Sequence, residues 1–250
     1  MKTKAILVAG GKGSRLYPFT HYMQKTMMPL FDRPVIDYAL GTIRRGGIKR
    51  ITIISNEHIG QIAKHIGQGL EGEQIHYVLE EEPRGVAQAL LLARPHNEDC
   101  RLMIYFSDNI TTVEFDQLID DFSSAEKPPG CLLLAREEHH PQAFGVAVLD
   151  GERRIIDVVE KPPNPPSNLA IGGIYLFDET FWEKLDAAVQ EKGNAFSISD
   201  INRAYIAEGR AEFVSVGAET WLDCGTPESL LRASVMAREG KLNPRPHRER

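Results

Sequence analysis

The sequence predicts an α/β fold: a Rossmann-like, mostly parallel mixed sheet flanked by helices, with a small antiparallel section. Three observations carry the prediction. Residues 5–9 form a continuous apolar run, too short for a self-burying helix, that opens into a glycine-rich turn. Up to about residue 106, apolar runs then alternate with stretches of helical periodicity, as in parallel sheets covered on both faces. Beyond residue 135 the alternation gives way to consecutive strand patterns joined by a hairpin signal, Asp150-Gly151.

Taken in order, the first strand ends at Ala9 and the turn begins at Gly10. Gly10, Gly11 and Gly13 let successive amide N–H groups crowd round an anion, so the turn reads as a phosphate cradle. Lys12 and Arg15 add charge, and a guanidinium grips phosphate oxygens in a fork. Leu16 stands where a dinucleotide-binding GxGxxG needs its third glycine, and no Walker A pattern is present. In residues 17–34, Pro18, Pro29 and Pro34 forbid a continuous helix, and a loop of that length is usually functional. Lys25 lies within it, able to fold back over the cradle. A helix is expected over residues 35–43, stopped by Gly46 and Gly47, then a strand over 50–55, a helix over 59–66 and a third strand over 74–79. Ligands of such sheets bind beyond the carboxyl ends of the strands, which is where residues 80–85 fall.

A helix over 87–93 and a buried strand over 101–106 follow. That strand runs into Ser107-Asp108-Asn109, and a carboxylate at a strand's carboxyl end suits a metal beside a phosphate. Helix-like residues 115–122 lead to a strand over 131–135. Strands over 144–149, 154–160 and 168–177 make the antiparallel section, with Glu160 and Lys161 at the base of a proline-rich loop. Helices over 179–190 and 198–208, a strand over 211–216 and a last helix from Pro227, a favoured first helical position, complete the chain. Asp223, like Asp108, follows an apolar segment at a turn, and the two together could hold Mg²⁺ against a substrate phosphate.

Composition bounds the function. At 250 residues, 42% hydrophobic and 26% charged, the chain reads as one soluble domain. A net charge of −6 argues against a nucleic-acid binder, and no segment approaches the ~20 apolar residues of a membrane span. Cys100, Cys131 and Cys224 fit neither a disulfide framework nor a zinc site, which suits the cytoplasm. His139-His140 looks like a solvated turn, His58 and His65 are too far apart to chelate on a helix, and no GxSxG is present.

The glycine turn with Arg15, Gln24-Lys25, Pro83-Arg84-Gly85-Val86-Ala87-Gln88, Ser107-Asp108-Asn109, Phe144-Gly145-Val146, Glu160-Lys161-Pro162, Ile198-Ser199-Asp200 and Trp221-Leu222-Asp223 together resemble the sugar-1-phosphate nucleotidyltransferases. The likeness is greatest to the thymidylyl-transferring enzymes that act on glucose 1-phosphate, and it runs in order from the first strand to about residue 235. It implies their nucleotidyltransferase fold and their reaction: a nucleoside triphosphate and a sugar 1-phosphate, or a similar small phosphate, give an NDP-sugar and pyrophosphate with Mg²⁺. Ala9, Gly10, Gly11, Gly13, Glu80, Gly85 and Gln88 would bind the nucleotide, with Arg15 on the departing phosphates and Lys25 offsetting charge. Asp108 and Asp223 would bind the metal. Lys161 would hold the acceptor's phosphate, Glu160 its hydroxyls, and Asn109, Gly145 and Gly173 would line its pocket. Residues 1–239 would form one domain, 1–135 the nucleotide-binding half and 136–239 the sugar-phosphate half, with 240–250 a disordered basic tail. A homo-oligomer, dimer or tetramer, is implied as well.

Departures from the pattern matter. Glu80 replaces the usual glutamine that reads the base edge. A carboxylate only accepts, whereas thymine and uracil want an amide that also donates, so GTP or CTP becomes a candidate. Ser107 replaces a glycine, Phe144 a tyrosine, and Ala195-Phe196-Ser197 a segment with two glutamates, which makes the pocket less acidic and opens it to acceptors other than glucose 1-phosphate. The sequence stops soon after the last helix, so a regulatory site built by further helices is not expected. The rival readings are a catalytically silent nucleotide-binding regulatory subunit of the same fold, and a nicotinamide-dependent oxidoreductase, which the missing third glycine disfavours.

Overall fold

The computed structural model describes residues 2–82, 84–125, 127–217 and 219–242. Pro83 of the motif before Gly85 and residues 243–250 of the expected tail lie outside these. The chain runs β1 (Thr3–Val8), β2 (Pro29–Leu30), β3 (Arg33–Pro34), α1 (Val35–Arg45), β4 (Arg50–Ser55), α2 (Ile59–Ile66), β5 (Gln74–Leu79), α3 (Val86–Ala93), β6 (Arg101–Phe106) and β7 (Asn109–Thr111). It continues with α4 (Asp116–Ser124), β8 (Cys131–Glu137), β9 (Gly145–Leu149), β10 (Ile155–Glu160), β11 (Leu169–Phe177), α5 (Phe181–Lys192), α6 (Ile198–Ala207), β12 (Ala211–Ser215), β13 (Trp221–Asp223) and α7 (Pro227–Arg238).

One nine-stranded mixed sheet organises the molecule in the order β10-β9-β11-β6-β1-β4-β5, with β8 on β11 and β12 on β8. β6, β1, β4 and β5 are parallel, as the β-α-β alternation requires. β9, β10 and β11 pair antiparallel, and β11 also joins β6 and β8 in that sense. The fold class is the one the sequence predicts. The 135/136 division falls inside β8, so both parts of the chain share this sheet.

Strand alternation feeds two cores. Ala5, Leu7, Ile51, Ile53, Met103 and Tyr105 point to one face, where Ile36, Ala39, Leu40 and Ile43 of α1 and Ile119 of α4 cover them. Ile6, Ile54, Leu102 and Ile104 point to the other, under α3, α5 and α6. The near-continuous apolar strands are explained by this double coverage. A third cluster packs Leu230 and Ala233 of α7 on Leu16, Leu30, Tyr38 and Leu222, tying residues 17–34 to the end of the chain.

Two short elements go beyond what the sequence pattern shows. Residues 109–111 and 221–223 form strands β7 and β13, paired antiparallel with Asp223 opposite Asn109. Three residues are too few for a period-2 signal, and the partners are over a hundred positions apart. β11 carries an irregularity between Ile171 and Tyr175, at Gly172 and Gly173. There it faces the small β7–β13 sheet, and a side chain on Gly172 would collide with the Trp221 ring.

Candidate active site

The site forms where β1 and β6 end side by side. Val8 pairs with Phe106, and Ser107, standing where a glycine was expected, donates both its N–H (3.1 Å) and its hydroxyl (2.9 Å) to the Val8 carbonyl. The glycine turn therefore lies next to Asp108. Gly13 takes φ +61, a conformation that favours glycine, and a Cβ there would meet Thr20 at 2.8 Å and Lys25 at 3.1 Å. Lys25 folds back beneath the turn and forms an ion pair with Asp108 Oδ2. Buried Gln24 holds it there: its Nε2 donates to the Ala9 carbonyl, and its Oε1 accepts from the Thr26 N–H (2.5 Å) and hydroxyl (2.6 Å).

The β7–β13 pairing brings the second aspartate to the first. The Cys224 N–H donates to the Asp108 carbonyl (2.8 Å), and Asp223 Oδ1 accepts from the Gly225 N–H (2.8 Å). Burial, then the neighbouring Asp108 charge, push the Asp223 carboxyl above its usual range, with Lys25 and Arg15 acting the other way. Arg15 lies so close to Gly225 that a Cβ there would overlap its guanidinium. Among the described residues no group of three or more His, Cys, Asp or Glu could hold a metal; the carboxylates here are a pair.

Arg15, Asp108 and Asp223 form one wall of a cleft of about 670 Å³. Asn109, Gly145, Glu160, Lys161 and Gly173 line it too, so the residues expected on the acceptor side converge there. Asn109 is fully engaged: Nδ2 donates to the Phe106 carbonyl (3.1 Å) and Asp108 Oδ1 (3.0 Å), while Oδ1 accepts from Trp221 Nε1 (2.8 Å) and the Gly173 N–H (3.2 Å). It fixes the cleft wall and has no spare amide for a ligand. Glu160 accepts from the Ser199 hydroxyl (2.7 Å) and lies 3.8 Å from Lys161 Nζ, and a Cβ on Gly145 would crowd both Ser199 and Glu160. Lys161 takes φ +43, and its side chain is 66% exposed.

Glu80 lies apart from this cleft, at the end of β5 and against the glycine turn. It is 3% exposed, and its Oε2 sits 2.5 Å from where a Cβ on Gly10 would be, so glycine is required there. Among the described residues its Oε1 has no hydrogen-bond partner. Burial pushes its carboxyl above the usual range, opposed by the Arg84 N–H. Gly85 caps α3 with φ +109, and Gln88 is exposed on the first turn of that helix.

A family model described as nucleotidyl transferase matches residues 4–240. The chain belongs to the nucleotidyl transferase family. It is 32% identical over 235 residues to the glucose-1-phosphate thymidylyltransferase of Xanthomonas campestris, covering 92% of this chain and 79% of that one. It is also 32% identical over 241 residues to the low-salt glycan biosynthesis nucleotidyltransferase of Haloferax volcanii, covering 95% and 67%. Among solved structures, a Bacillus anthracis protein assigned as a glucose-1-phosphate thymidylyltransferase, in complex with sucrose, superposes with a TM-score of 0.89 at 32% identity, over 95% of this chain and 96% of that one. A UDP-glucose pyrophosphorylase complexed with UDP-glucose shares the fold at 21% identity, with a TM-score of 0.83 over 96% of this chain and all of the other. These relatives place the chain with the sugar-1-phosphate nucleotidyltransferases, enzymes that make NDP-sugars.

The site of this nucleotidyltransferase also contains residues to which the local sequence pattern gives no role. Gln24 was visible only as Lys25's neighbour, and nothing local revealed its bond to Ala9. Ser199 sits in the first turn of α6, whose capping box (Ser197 with Asp200) sets the helix start that aims it at Glu160. Arg136 lines the cleft from the end of β8, where an arginine after an apolar run reads as a solvated strand end. No helix among the described residues is long and apolar enough to cross a membrane.

Proposed function

We propose that this enzyme transfers a nucleotidyl group from a nucleoside triphosphate to a sugar 1-phosphate, or a similar small phosphate, by in-line attack. An oxygen of the acceptor's phosphate forms a bond to the α-phosphorus. The bond from that phosphorus to the oxygen bridging the α- and β-phosphates breaks, and pyrophosphate leaves with the electron pair. The convergence of Arg15, Asp108 and Asp223 on the cleft that Glu160 and Lys161 also line, with Lys25 paired to Asp108, carries this reading. A phosphate monoester has a second pKa of about 6, so near pH 7 the nucleophile is already ionised and no general base is required. Two anions must instead be brought together, which is work for fixed cations and for positioning.

The glycine turn from Gly10 to Gly13 offers backbone N–H groups to the triphosphate, with Ala9 at its base. Gly85 and Gln88, at the N-terminal turn of α3, would bind the nucleotide as well. Arg15 would hold the β- and γ-phosphates that leave as pyrophosphate, and Lys25 would offset charge at the α-phosphate. Lys161 would meet the acceptor's phosphate. Glu160, oriented by Ser199, would accept from its hydroxyls, with Gly145 and Gly173 keeping the pocket open.

The two aspartates fit Mg²⁺. Mg²⁺ takes one or two carboxylates and completes its shell with water and substrate phosphates. Burial and the neighbouring Asp108 charge both hold the Asp223 carboxyl up, and a dication would offset both. Bound there, it would neutralise charge on the reacting phosphates.

At the base, Glu80 favours a partner that donates. Guanine presents adjacent N1–H and N2–H groups and cytosine its N4 amine, whereas thymine and uracil place one N–H between two carbonyls. GTP or CTP thus fits the unpartnered Oε1 better than dTTP, although the relatives named above include thymidylyltransferases. The test is pyrophosphate release with Mg²⁺, crossing dTTP, UTP, CTP, GTP and ATP with a panel of sugar 1-phosphates. Release that needs both substrates is expected. A triphosphate that binds tightly but reacts with no acceptor, and that binds an Asp108→Asn variant equally well, would point to a silent binding subunit.

A further inference from the structure

We propose that Arg136 is a second cation for the acceptor's phosphate, gripping it across the cleft from Lys161. The proposal rests on the reading of the cleft as the acceptor site.

The argument begins with strand alternation. Leu132 and Leu134 of β8 point to the sheet face that carries Trp221 and Val216. Two residues on, the same face receives Arg136, a charge where the row calls for another apolar side chain. Its side chain is only 16% exposed, and its guanidinium lies 5.4 Å from the Phe144 ring centroid. A leucine would fill this place without desolvating a charge, so packing alone does not account for the residue.

Its hydrogen bonds leave it with capacity. Nη1 donates to the Trp221 carbonyl and Nη2 to Glu138 Oε2 (2.8 Å), and these are the hydrogen bonds the guanidinium makes among the described residues. A guanidinium carries five N–H donors in a rigid fork, the geometry that matches phosphate. The Trp221 contact aims the fork: Trp221 lies two residues before Asp223 on β13, so the fork is held beside the carboxylate pair where the reacting phosphates must meet. Burial pulls the guanidinium pKa down, with Glu138 and Asp223 countering, which marks a cation held in poorly solvated surroundings and open to gain from an anion.

Lys161 alone is a weak anchor. At 66% exposure its charge is screened and its stem must be ordered before it grips anything. A half-buried fork on a strand supplies what it lacks, a fixed direction and a lower local dielectric. The two residues come from different walls, β8 and the end of β10, so a phosphate between them is oriented as well as bound.

The experiment compares Arg136→Gln and Arg136→Lys with wild type, using the triphosphate and acceptor pair that the panel above identifies. KM is measured for each substrate separately, and inorganic phosphate serves as an inhibitor competing with the acceptor. Gln keeps a polar amide but is two bonds shorter and carries no charge; Lys keeps the charge without the fork. Arg136→Gln is expected to raise the acceptor KM and the phosphate inhibition constant roughly 10- to 100-fold, the loss of one or two charge-assisted hydrogen bonds. The triphosphate KM should stay within about twofold, while the lost Trp221 and Glu138 bonds should lower the melting temperature by roughly 2–4 °C per kcal/mol. Arg136→Lys should recover part of the loss. An unchanged acceptor KM and phosphate inhibition in Arg136→Gln would overturn the proposal, as would equal rises in both KM values, the mark of a strut. A wild type active with some pair separates these outcomes from failure of the functional reading, which absence of turnover with every pair would signal and which would take this proposal with it.

Discussion

Replacing Glu80 by glutamine isolates what its charge does. The side chain is buried against Gly10, with Oε2 2.5 Å from a Cβ position there and Oε1 without a partner, so an isosteric amide occupies the same space. On the proposed reading, guanine's N1–H and N2–H would meet acceptor oxygens of the Glu80 carboxylate in the wild type. In the variant one oxygen becomes an NH₂ group, and two donors face each other in a buried site. A bidentate base contact discriminates by about 1–3 kcal/mol, or roughly 5- to 150-fold. The same change gives thymine an N–H donor for its carbonyl while keeping an acceptor for N3–H. The ratio of kcat/KM for GTP to that for dTTP should therefore fall by at least ~10-fold in Glu80→Gln. Pyrophosphate release with each triphosphate in turn measures it. Acidity supplies an internal check. Burial raises the Glu80 carboxyl, so it protonates at a higher pH than a free glutamate, and a protonated acid both donates and accepts like an amide. As pH falls toward that raised pKa, the wild-type ratio should fall toward that of Glu80→Gln, while the variant's ratio stays flat. Equal ratios in both proteins at every pH, with both folded, would refute the reasoning.

Three further outcomes follow from the geometry. Asp223 has a raised pKa, so the folded state binds its proton more tightly than the unfolded state, and its contribution to stability falls as pH rises from the unfolded carboxylate range through the folded value. Asp223→Asn should therefore melt no lower than wild type near pH 7 without metal, and up to ~4 °C higher per kcal/mol of repulsion removed; added Mg²⁺ should raise the wild-type melting temperature but not the variant's. Asn109→Ala leaves the Trp221 indole and the Gly173 N–H without acceptors, at about 1–3 kcal/mol each; thermal or denaturant melts should show a loss of ~5 °C or more. Gln24→Ala removes the link from Ala9 to Thr26, so the triphosphate KM should rise by roughly fivefold or more as Lys25 loses its support, at a cost of about 1–3 kcal/mol in denaturant-measured stability.

The parallel core was legible because each of its strands is a short apolar run bounded by turn residues, and each covering helix shows its own periodicity. The meeting of Asp108 with Asp223 was legible only through the combined motif pattern. It is made by β7 and β13, three residues each, whose pairing puts Asp223 opposite Asn109 across more than a hundred positions of chain. Local patterning cannot report such a contact, and the carboxylates taken singly look like turn residues. Glu80 could be flagged by its residue type, but its burial depends on the glycine turn packing over the end of β5. Gln24 and Arg136 gave no separate signal, since each acts through a backbone carbonyl of a distant segment, Ala9 for one and Trp221 for the other.

Three departures from good packing bear on the site. Glu80 is a buried carboxylate with an unpartnered oxygen, Asp223 a carboxylate forced beside another, and Arg136 a half-buried cation at the end of an apolar row. Each costs folding free energy that a glutamine, an asparagine and a leucine would not. Much of the rest of the chain follows its own patterns: strands alternate, α6 and α7 begin with capping boxes, and the cysteines are buried and free, although among the described residues the buried Asn202 amide of α6 also has no partner. Sequences that agree across levels tend to break their rules where chemistry demands it. Here Glu80 lies against the glycine turn, Asp223 beside Asp108, and Arg136 in the cleft wall. On the proposed reading the carboxylate pair would serve the transfer itself, and the outer two differ in kind, an acceptor against Gly10 and a cationic fork beside Phe144. The choice of base and the choice of acceptor would then rest on separate side chains and could be altered one at a time.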